Sequence, residues 1–155
     1  LERVQDTNLE IFIDYAHSPD ALEKSIVSLK KNFSSKKITV LFGCGGNRDI
    51  GKRSKMGAIA EKFADEIIVT SDNPRFEDPK SIINHICEGF KMVKKKPKKI
   101  IVDRKEAINW AIKNMKKNEV LLVAGKGHED YQEINGTKFK FSDYNEVKKC
   151  LEIIN

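Results

Sequence analysis

The sequence predicts an α/β protein of Rossmann-like type, in which a mainly parallel sheet carries helices on both faces. The first observation is that short runs rich in Val, Ile, Leu and Phe alternate with segments that have the apolar spacing of amphipathic helices. Strands and helices that alternate in this way form parallel sheets through right-handed crossovers. The second observation is that the carboxy-terminal part departs from this alternation and predicts a terminal antiparallel strand or hairpin.

The predicted strands are runs of mostly β-branched, aromatic and other apolar residues. Such runs are typical of strands that are buried on both faces of a sheet. They are residues 10–16 (EIFIDYA), 37–42 (KITVLF), 66–71 (EIIVTS), 99–103 (KIIVD) and 119–124 (EVLLVA).

Helices are predicted between these runs and after the last one, from apolar residues spaced by three and four positions. Asp78 followed by Pro79 is typical of an N-cap and a first-turn proline, and predicts the start of the third helix. The apolar positions are Leu22, Ile26, Leu29 and Phe33; Met56, Ile59, Ala60 and Phe63; Ile83, Ile86 and Phe90; Ile108, Ala111, Ile112 and Met115; and Val147, Leu151 and Ile154.

The predicted hairpin covers residues 131–141 (YQEINGTKFKF), where polar and apolar residues alternate about Asn135 and Gly136. Asn-Gly favours a type I′ turn, because both central residues of that turn need positive φ. We therefore expect two antiparallel strands joined at these two residues.

Length and composition are those of a single domain with one substantial core, covering residues 1–155. No apolar run approaches the roughly 20 residues of a membrane span, and Leu1 does not begin a leader that resembles a signal peptide. Three well-separated cysteines have neither the spacing of a metal site nor that of a redox site. We expect a cytoplasmic protein with reduced thiols and no membrane partner.

The net charge of +6 comes largely from one lysine cluster. Because aromatic residues do not interrupt that cluster, a solvated loop is favoured over a nucleic-acid surface. The charge also suits an anionic small-molecule substrate. The cluster consists of Lys94, Lys95, Lys96, Pro97, Lys98 and Lys99.

Two polar loops follow predicted strands and would lie at the same edge of a parallel sheet, where ligands of open α/β sheets bind. One contains Asp72, Asn73, Pro74 and Arg75, and the other runs over residues 125–130 (GKGHED). Arginine offers a planar pair of donors to a carboxylate, and glutamate can bind an ammonium. Although each loop alone could be only a turn, together they predict a site for a zwitterionic amino acid.

The glycine-rich loop at residues 43–49 (GCGGNRD) fails to match two nucleotide motifs. Arg48 stands where a dinucleotide fingerprint needs its third glycine. Arg53 stands after Gly51 and Lys52, where a phosphate loop needs Ser or Thr. What remains is a turn that permits close backbone approach, with Arg48 near a strand end, and it could serve a ligand or only the turn.

The end of the first strand offers two further candidates, Asp14 and His17. Asp14 interrupts an apolar run, and either side chain could contact a nucleotide. The alternative is a simple helix entry, capped by Ser18 or Asp20, with an exposed histidine.

Taken together, four motifs resemble the carboxy-terminal domain of the Mur ligase family, and within it the UDP-N-acetylmuramoyl-tripeptide synthetases that add diaminopimelate. The motifs are residues 14–22 (DYAHSPDAL), 43–53 (GCGGNRDIGKR), 71–75 (SDNPR) and 125–130 (GKGHED), in this order. The resemblance spans essentially the whole chain. It implies a Rossmann-like sheet with one antiparallel strand.

The resemblance also implies the reaction and the partners. An ATP-dependent ligase would join meso-diaminopimelate, or a similar diamino diacid, to UDP-N-acetylmuramoyl-L-alanyl-D-glutamate and release ADP and phosphate. ATP and Mg²⁺ would be held mainly by a preceding central domain of a three-domain protein, so this domain would contribute neither a catalytic residue nor a metal ligand. The missing initiator Met and the failed phosphate-loop match suit an excised domain, which we expect to be inactive alone.

Site residues are implied in the same way. Arg75 would bind the distal carboxylate with help from Arg48, while Asp72, Asn73 and Pro74 shape the loop. Glu129 and the Gly125 carbonyl would bind the distal ammonium, and Asp14 and His17 would line the nucleotide cleft. Two alternatives stay open: a ligase domain like that of folylpolyglutamate synthase, and a non-enzymatic Rossmann-type module that binds a nucleotide or an amino acid.

Overall fold

The structure, a computed structural model, describes residues 1–5, 7–91 and 98–154. Its strands are β1 (Glu2–Arg3), β2 (Glu10–Asp14), β3 (Lys37–Phe42), β4 (Glu66–Val69), β5 (Lys98–Ile100), β6 (Glu119–Ala124), β7 (Tyr131–Ile134) and β8 (Thr137–Lys140). Its helices are α1 (Pro19–Asn32), α2 (Gly51–Phe63), α3 (Pro79–Cys87), α4 (Arg104–Lys113) and α5 (Asp143–Ile154).

The main sheet has six strands in the order β1-β2-β6-β3-β4-β5. Five of them are parallel, and only β1 pairs antiparallel, with β2. This arrangement confirms the predicted mainly parallel sheet. Strand β6 lies between β2 and β3, and these strands and β4 are parallel. The loops that follow β2, β3, β4 and β6 therefore leave the sheet at the same end, the carboxyl end of the strands, and this end carries the candidate site.

Helices cover both faces of the sheet, as predicted. On one face, α1, α2 and α3 pack on side chains such as Val40 and Phe42. On the other, α4 and α5 pack on Leu41 and its neighbours. Successive residues of a strand point to opposite faces, so a run that is apolar throughout serves both layers. The continuous apolar character of β3 and β6 follows from this geometry.

Side-chain caps begin α1, α3 and α4. The hydroxyl of Ser18 accepts a hydrogen bond from Ala21 N, so Ser18 is the cap of the first helix. Asp78 accepts from Lys80 N immediately before Pro79, which confirms the predicted start of α3. At the start of α4, Asp103 accepts from Glu106 N. Caps of this kind satisfy backbone donors that the first turn leaves without a helical partner.

Several sequence predictions differ from the structure at their boundaries, and the strands predicted at 10–16 and 66–71 end at Asp14 and Val69. Helix α3 ends at Cys87, and Phe90, expected on that helix, lies beyond it in a tight turn that its N–H closes onto the Cys87 carbonyl. Met115 likewise follows α4. Strand β5 begins at Lys98, so Lys98 and Lys99 belong to a strand and not to a loop. The rest of the predicted lysine loop, residues 94–97, lies outside the described residues.

The predicted hairpin is confirmed as a separate two-stranded sheet of β7 and β8. Asn135 and Gly136 have φ values of 50° and 80°, as a type I′ turn requires. The hairpin is attached to the loop after β4, because Arg75 N donates to Glu133 O at 2.9 Å and Asn135 N donates to Arg75 O at 2.7 Å. Within the described residues, no helix is long and apolar enough to cross a membrane.

Candidate functional site

The candidate site is a cleft of about 370 Å³ at the carboxyl ends of β2, β3, β4 and β6. Of the nine predicted site residues, seven line it: His17, Arg48, Asp72, Asn73, Arg75, Gly125 and Glu129. Tyr15, Gly45, Lys52 and Tyr131 complete the lining. A larger groove of about 770 Å³ lies at the opposite edge of the sheet, near Leu9 and Lys117. Its described lining contains lysines but not a carboxylate side chain.

Close packing of two loops explains the glycines that follow β3. A Cβ added at Gly43 would lie 2.2 Å from Thr70 O, and one added at Gly46 would lie 1.8 Å from Pro74 O. Both distances are far below any non-bonded contact, so side chains cannot be accommodated at these positions. The Gly46 N–H donates to Asn73 O at 2.7 Å, which joins the glycine-rich loop to the loop after β4. These two glycines therefore serve the packing of the two loops. This role does not require a ligand, which is one of the two alternatives that the sequence left open.

Arg75 has an unusual backbone and a guanidinium held at two points. Its φ of 54° lies in the left-handed region, which non-glycine residues adopt rarely. Nη1 donates to Gly46 O at 2.9 Å, and Nε lies 3.3 Å from Glu133 Oε2. Its side chain is 16% exposed and borders the cleft. Nη2 takes part in neither of these two described contacts. The guanidinium is therefore oriented, while the N–H donors of Nη2 remain for a ligand.

Lys126 is an internal residue of this site to which the sequence analysis gave no role. Its side chain is fully buried, and Nζ lies 2.6 Å from Asn73 Oδ1, 2.9 Å from Asp72 Oδ1 and 3.0 Å from Tyr131 O. A buried ammonium must find such acceptors, because removing it from water is costly. The signal in the sequence is a lysine between two glycines directly after the mostly apolar run 119–124; residues 125–130 were predicted to contribute to the site, but Lys126 was not given a role.

Glu129 and Gly125 face the same cleft from the loop after β6. Glu129 Oε1 accepts from Asn73 Nδ2 at 3.3 Å and lies 3.4 Å from Lys126 Nζ. Gly125 has a φ of 117°, and a Cβ added there would lie 3.0 Å from Asp72 Oδ2. Glycine is therefore required at 125 by the backbone conformation and by the packing of the two loops.

Arg53 accounts for the failed phosphate-loop match. Its side chain is fully buried and donates to both carboxylate oxygens of Glu77, at 3.2 and 2.6 Å, and to Gly45 O at 3.0 Å. Glu77 also accepts from Asn47 N at 2.6 Å. The guanidinium of Arg53, with the Asn47 N–H, holds the pKa of the Glu77 carboxyl below its usual value. Arg53 therefore holds the glycine-rich loop in place. In a phosphate loop, the residue at this sequence position is a Ser or Thr whose hydroxyl binds magnesium.

Three residues that were predicted from the strand ends border the cleft more loosely or lie apart from it. Arg48 is exposed and donates to its neighbour Asn47 O at 3.0 Å. His17 is also exposed; its Nδ1 is 2.8 Å from Tyr15 O, and its carbonyl accepts from Lys52 Nζ at 2.9 Å. Asp14 does not line the cleft.

The carboxylate of Asp14 accepts a hydrogen bond from the Ser25 hydroxyl, and its backbone carbonyl accepts from Gly125 N at 3.0 Å. It therefore joins β2 to α1 and to the loop after β6. Pro74 also lies outside the cleft lining, in a neighbouring groove, although its backbone is the surface against which Gly46 packs.

A second buried cation, Arg104, fixes the strand ends behind the cleft. Its guanidinium binds both oxygens of Asp143 at 2.7 Å, Ser71 O at 3.1 Å and Ala124 O at 3.0 Å. The two carbonyls belong to the ends of β4 and β6, so Arg104 keeps the loops that carry Arg75 and Glu129 in register. In the part of the chain that the structure describes, His, Cys, Asp and Glu side chains do not form a group of three or more that could hold a metal ion.

The mainly parallel sheet covered by helices identifies the class of protein as an α/β domain. At its strand ends an arginine and a glutamate line one cleft, and these opposite charges are complementary to those of an amino acid. The chain belongs to the Mur ligase family: the model of its glutamate ligase domain matches residues 1–127. It is 51% identical over 154 residues to the UDP-N-acetylmuramoyl-L-alanyl-D-glutamate--2,6-diaminopimelate ligase of Rickettsia rickettsii, covering 99% of this chain and 31% of that protein.

Solved structures agree with this assignment. A UDP-N-acetylmuramoyl-L-alanyl-D-glutamate--2,6-diaminopimelate ligase matches with a TM-score of 0.92 and 38% identity over 99% of this chain and 31% of its own. The bifunctional folylpolyglutamate synthase/dihydrofolate synthase of Yersinia pestis matches 98% of this chain and 30% of its own, with a TM-score of 0.59 and 16% identity, which shows a shared fold alone. The chain therefore spans about a third of the length of the diaminopimelate ligases that it matches.

Proposed function

We propose that this chain is the amino-acid-binding, carboxy-terminal domain of a three-domain, ATP-dependent amide ligase of the cytoplasm. The ligase adds meso-diaminopimelate to UDP-N-acetylmuramoyl-L-alanyl-D-glutamate, a precursor of peptidoglycan. Family membership and the 51% identity to a 2,6-diaminopimelate ligase support this substrate. Because the chain spans 31% of that relative, the remaining domains lie outside it, and this domain alone is inactive.

The observation that carries the proposal is that Arg75 and Glu129 line one cleft. The distal end of diaminopimelate bears a carboxylate and an ammonium on the same carbon. Arg75 supplies N–H donors for the carboxylate, and Arg48, exposed at the same cleft, adds a second positive charge. Glu129 and the Gly125 carbonyl accept from the ammonium, while Asp72, Asn73 and Pro74 shape the loop that carries Arg75.

Charge matching favours a diamino diacid over lysine. Lysine lacks the distal carboxylate, so a bound lysine would leave the cleft-facing donors of Arg75 unused, with Glu133 as the counter-ion among the described residues. A thioether analogue such as meso-lanthionine presents the same distal groups. A change of one chain atom usually alters selectivity by only about 1–3 kcal/mol. The site therefore selects the head group more strongly than the linker.

Catalysis by this domain is chiefly positioning. ATP phosphorylates the terminal glutamate carboxylate of the UDP-linked substrate, the amine of the bound amino acid attacks the acyl phosphate, and ADP and phosphate leave. Holding the amine at reacting distance can supply about 7–11 kcal/mol of the barrier. ATP and Mg²⁺ are held mainly by the preceding domain. Asp14 and His17 are proposed to line the nucleotide side when the domains close, and the exposure of His17 at the cleft supports this role for it more directly than for Asp14.

A titration of the full-length enzyme tests the proposal. With ATP and the dipeptide nucleotide present, meso-diaminopimelate, meso-lanthionine and L-lysine are compared as substrates of the wild type and of Arg75→Ala. Arg75→Lys is the matched control, since it keeps the charge but not the paired donors. We expect selective use of the two diacids and a loss of kcat/KM of at least about tenfold in Arg75→Ala.

Two results would contradict the proposal. Preferential use of lysine, or an unchanged kcat/KM in Arg75→Ala, would mean that residues 72–75 are only a turn. Failure of the wild type to form any amide would favour the folylpolyglutamate synthase-like ligase or the non-enzymatic module. Those two differ in their dependence on ATP, because only a ligase would hydrolyse it in the presence of its acceptor.

A further inference from the structure

We propose that Lys126 is a positioning residue, which orients Glu129 for the distal ammonium of the incoming amino acid and neutralises Asp72. The inference rests on the proposed function, because the ammonium belongs to the amino acid assigned there. Lys126 itself does not bind the substrate, since its side chain is fully buried. Its effect is transmitted through the two acidic side chains that it contacts.

Four oxygens surround the ammonium of Lys126. Asn73 Oδ1, Asp72 Oδ1, Tyr131 O and Glu129 Oε1 lie 2.6, 2.9, 3.0 and 3.4 Å from Nζ. An ammonium has three N–H donors, which Asn73 Oδ1, Tyr131 O and Glu129 Oε1 accept, while Asp72 Oδ1 is held as an ion pair. Lys126 thereby connects the loop after β4, the loop after β6 and the start of β7, which are the segments that form the cleft on either side of Arg75.

The charges of this cluster assign different roles to the two carboxylates. Asp72 is the nearer and more buried of the two, with a side chain 10% exposed, whereas that of Glu129 is 22% exposed. Lys126 therefore compensates chiefly Asp72. Glu129, the more exposed carboxylate and the one at the cleft, is left to bind a ligand ammonium.

Contacts on one oxygen of Glu129 fix its orientation. Oε1 lies near Lys126 Nζ and accepts from Asn73 Nδ2 at 3.3 Å. Neither contact involves Oε2, so the carboxylate is held while its second oxygen remains for the ligand. A side chain that is oriented before binding loses less conformational freedom when the ligand arrives.

A purely structural role for Lys126 predicts a different outcome. If it served only to compensate the buried charge of Asp72, removing both charges together would restore the site. If it positions Glu129, that double change would leave the fold intact but Glu129 unsupported. The two roles are therefore separated by the variant Asp72→Asn/Lys126→Met, compared with Asp72→Asn alone.

The experiment measures KM in the full-length ligase for two amino acids, meso-diaminopimelate and 2-aminopimelate. The second has the same chain and both carboxylates but lacks the distal amine, so it cannot use Glu129. We expect the ratio of KM for diaminopimelate to KM for 2-aminopimelate to be about tenfold higher in Lys126→Gln than in the wild type, as for one lost bond to a charged group. The ratio should also be about tenfold higher in Asp72→Asn/Lys126→Met than in Asp72→Asn, because these two variants share the change at Asp72 and differ only at Lys126.

The outcomes are distinct. An unchanged ratio in both Lys126 variants, with thermal unfolding that shows them to be folded, would overturn the positioning role. Should Lys126→Gln fail to fold, the double variant still decides, because it leaves neither buried charge unpaired. Failure of the wild type to ligate diaminopimelate would refute the proposed function and this inference with it. That result comes from the wild type alone, so it is distinct from a result seen only in the Lys126 variants.

Discussion

Arg104 and Asp143 form a fully buried ion pair behind the cleft, with Nε and Nη2 of the arginine each 2.7 Å from a carboxylate oxygen. The arginine begins α4 and the aspartate begins α5, so the pair joins the two helices on one face of the sheet. Because the same guanidinium binds the carbonyls of Ser71 and Ala124, it also connects those helices to the ends of β4 and β6. The stability of the helix layer and the geometry of the site are thus linked at one side chain.

Removing one member of this pair should strongly destabilise the domain. Asp143→Ala leaves a buried guanidinium without its counter-ion, a change that typically costs about 3–5 kcal/mol. The measurement is the free energy of unfolding in denaturant. The matched control is Glu10→Gln, which breaks the exposed pair with Arg3 and should cost at most about 1 kcal/mol. Equal losses in the two variants would show that Asp143 is not a buried counter-ion.

Gly46 should be intolerant of a side chain. In Gly46→Ala the new Cβ would meet Pro74 O at 1.8 Å, so the two loops must separate and the Arg75 contact with Gly46 O must change. We expect a loss of stability of about 1–3 kcal/mol, together with a raised KM for the amino acid. Gly51→Ala is the control, since its nearest contact would be Asp49 Oδ1 at 3.2 Å and the residue begins a helix, where alanine is favoured. Normal stability and KM in Gly46→Ala would contradict this packing.

Sequence periodicity predicted the sheet and its helices because β3, β4 and β6 are mostly apolar and the helices carry apolar residues on one face. Strand β1 was missed, since its two residues, Glu2 and Arg3, have neither an apolar run nor an alternation. It exists through pairing with β2, which is a tertiary effect. The last residues of predicted strands were also overestimated: β4 ends at Val69, and Thr70 and Ser71 lead into the site loop.

Site residues were predictable where a strand end placed them, and much less so where burial decides their role. Arg75 and Glu129 were expected at one edge and lie there. Lys126, Arg53 and Arg104 were not expected as internal residues, because a lysine or arginine is usually solvated and only its partners reveal that it is buried. Each has a partner far away in the sequence, which local patterns cannot show: Ala124 is 20 positions from Arg104, Glu77 is 24 from Arg53, and Asn73 is 53 from Lys126.

Glu77 should make stability depend on pH in the acid range. Its pKa is lowered in the folded state, so its contribution is complete above the usual pKa of a glutamic acid and is lost as the pH falls through the folded pKa. In Glu77→Gln the stability difference from the wild type should therefore be largest near neutrality and shrink in acid. Denaturant unfolding from neutral to acidic pH measures this. His85 lies 3.0 Å from Arg53 and is present in both proteins, so it does not account for a difference between them. A difference in the free energy of unfolding that does not change with pH would contradict this role of Glu77.

The three thiols should react in an order set by burial. Burial raises the pKa of the Cys44 thiol to about 12, so it stays protonated and unreactive at mildly alkaline pH. Burial also raises the pKa of Cys87, but this side chain is only half-buried, whereas Cys150 is buried against the helix layer. Alkylation of the native protein, followed by mass spectrometry, should modify Cys87 first, and denaturation should expose all three. Early modification of Cys44 would mean that the β3 loop opens away from α2, since its thiol lies 3.6 Å from the Met56 sulfur.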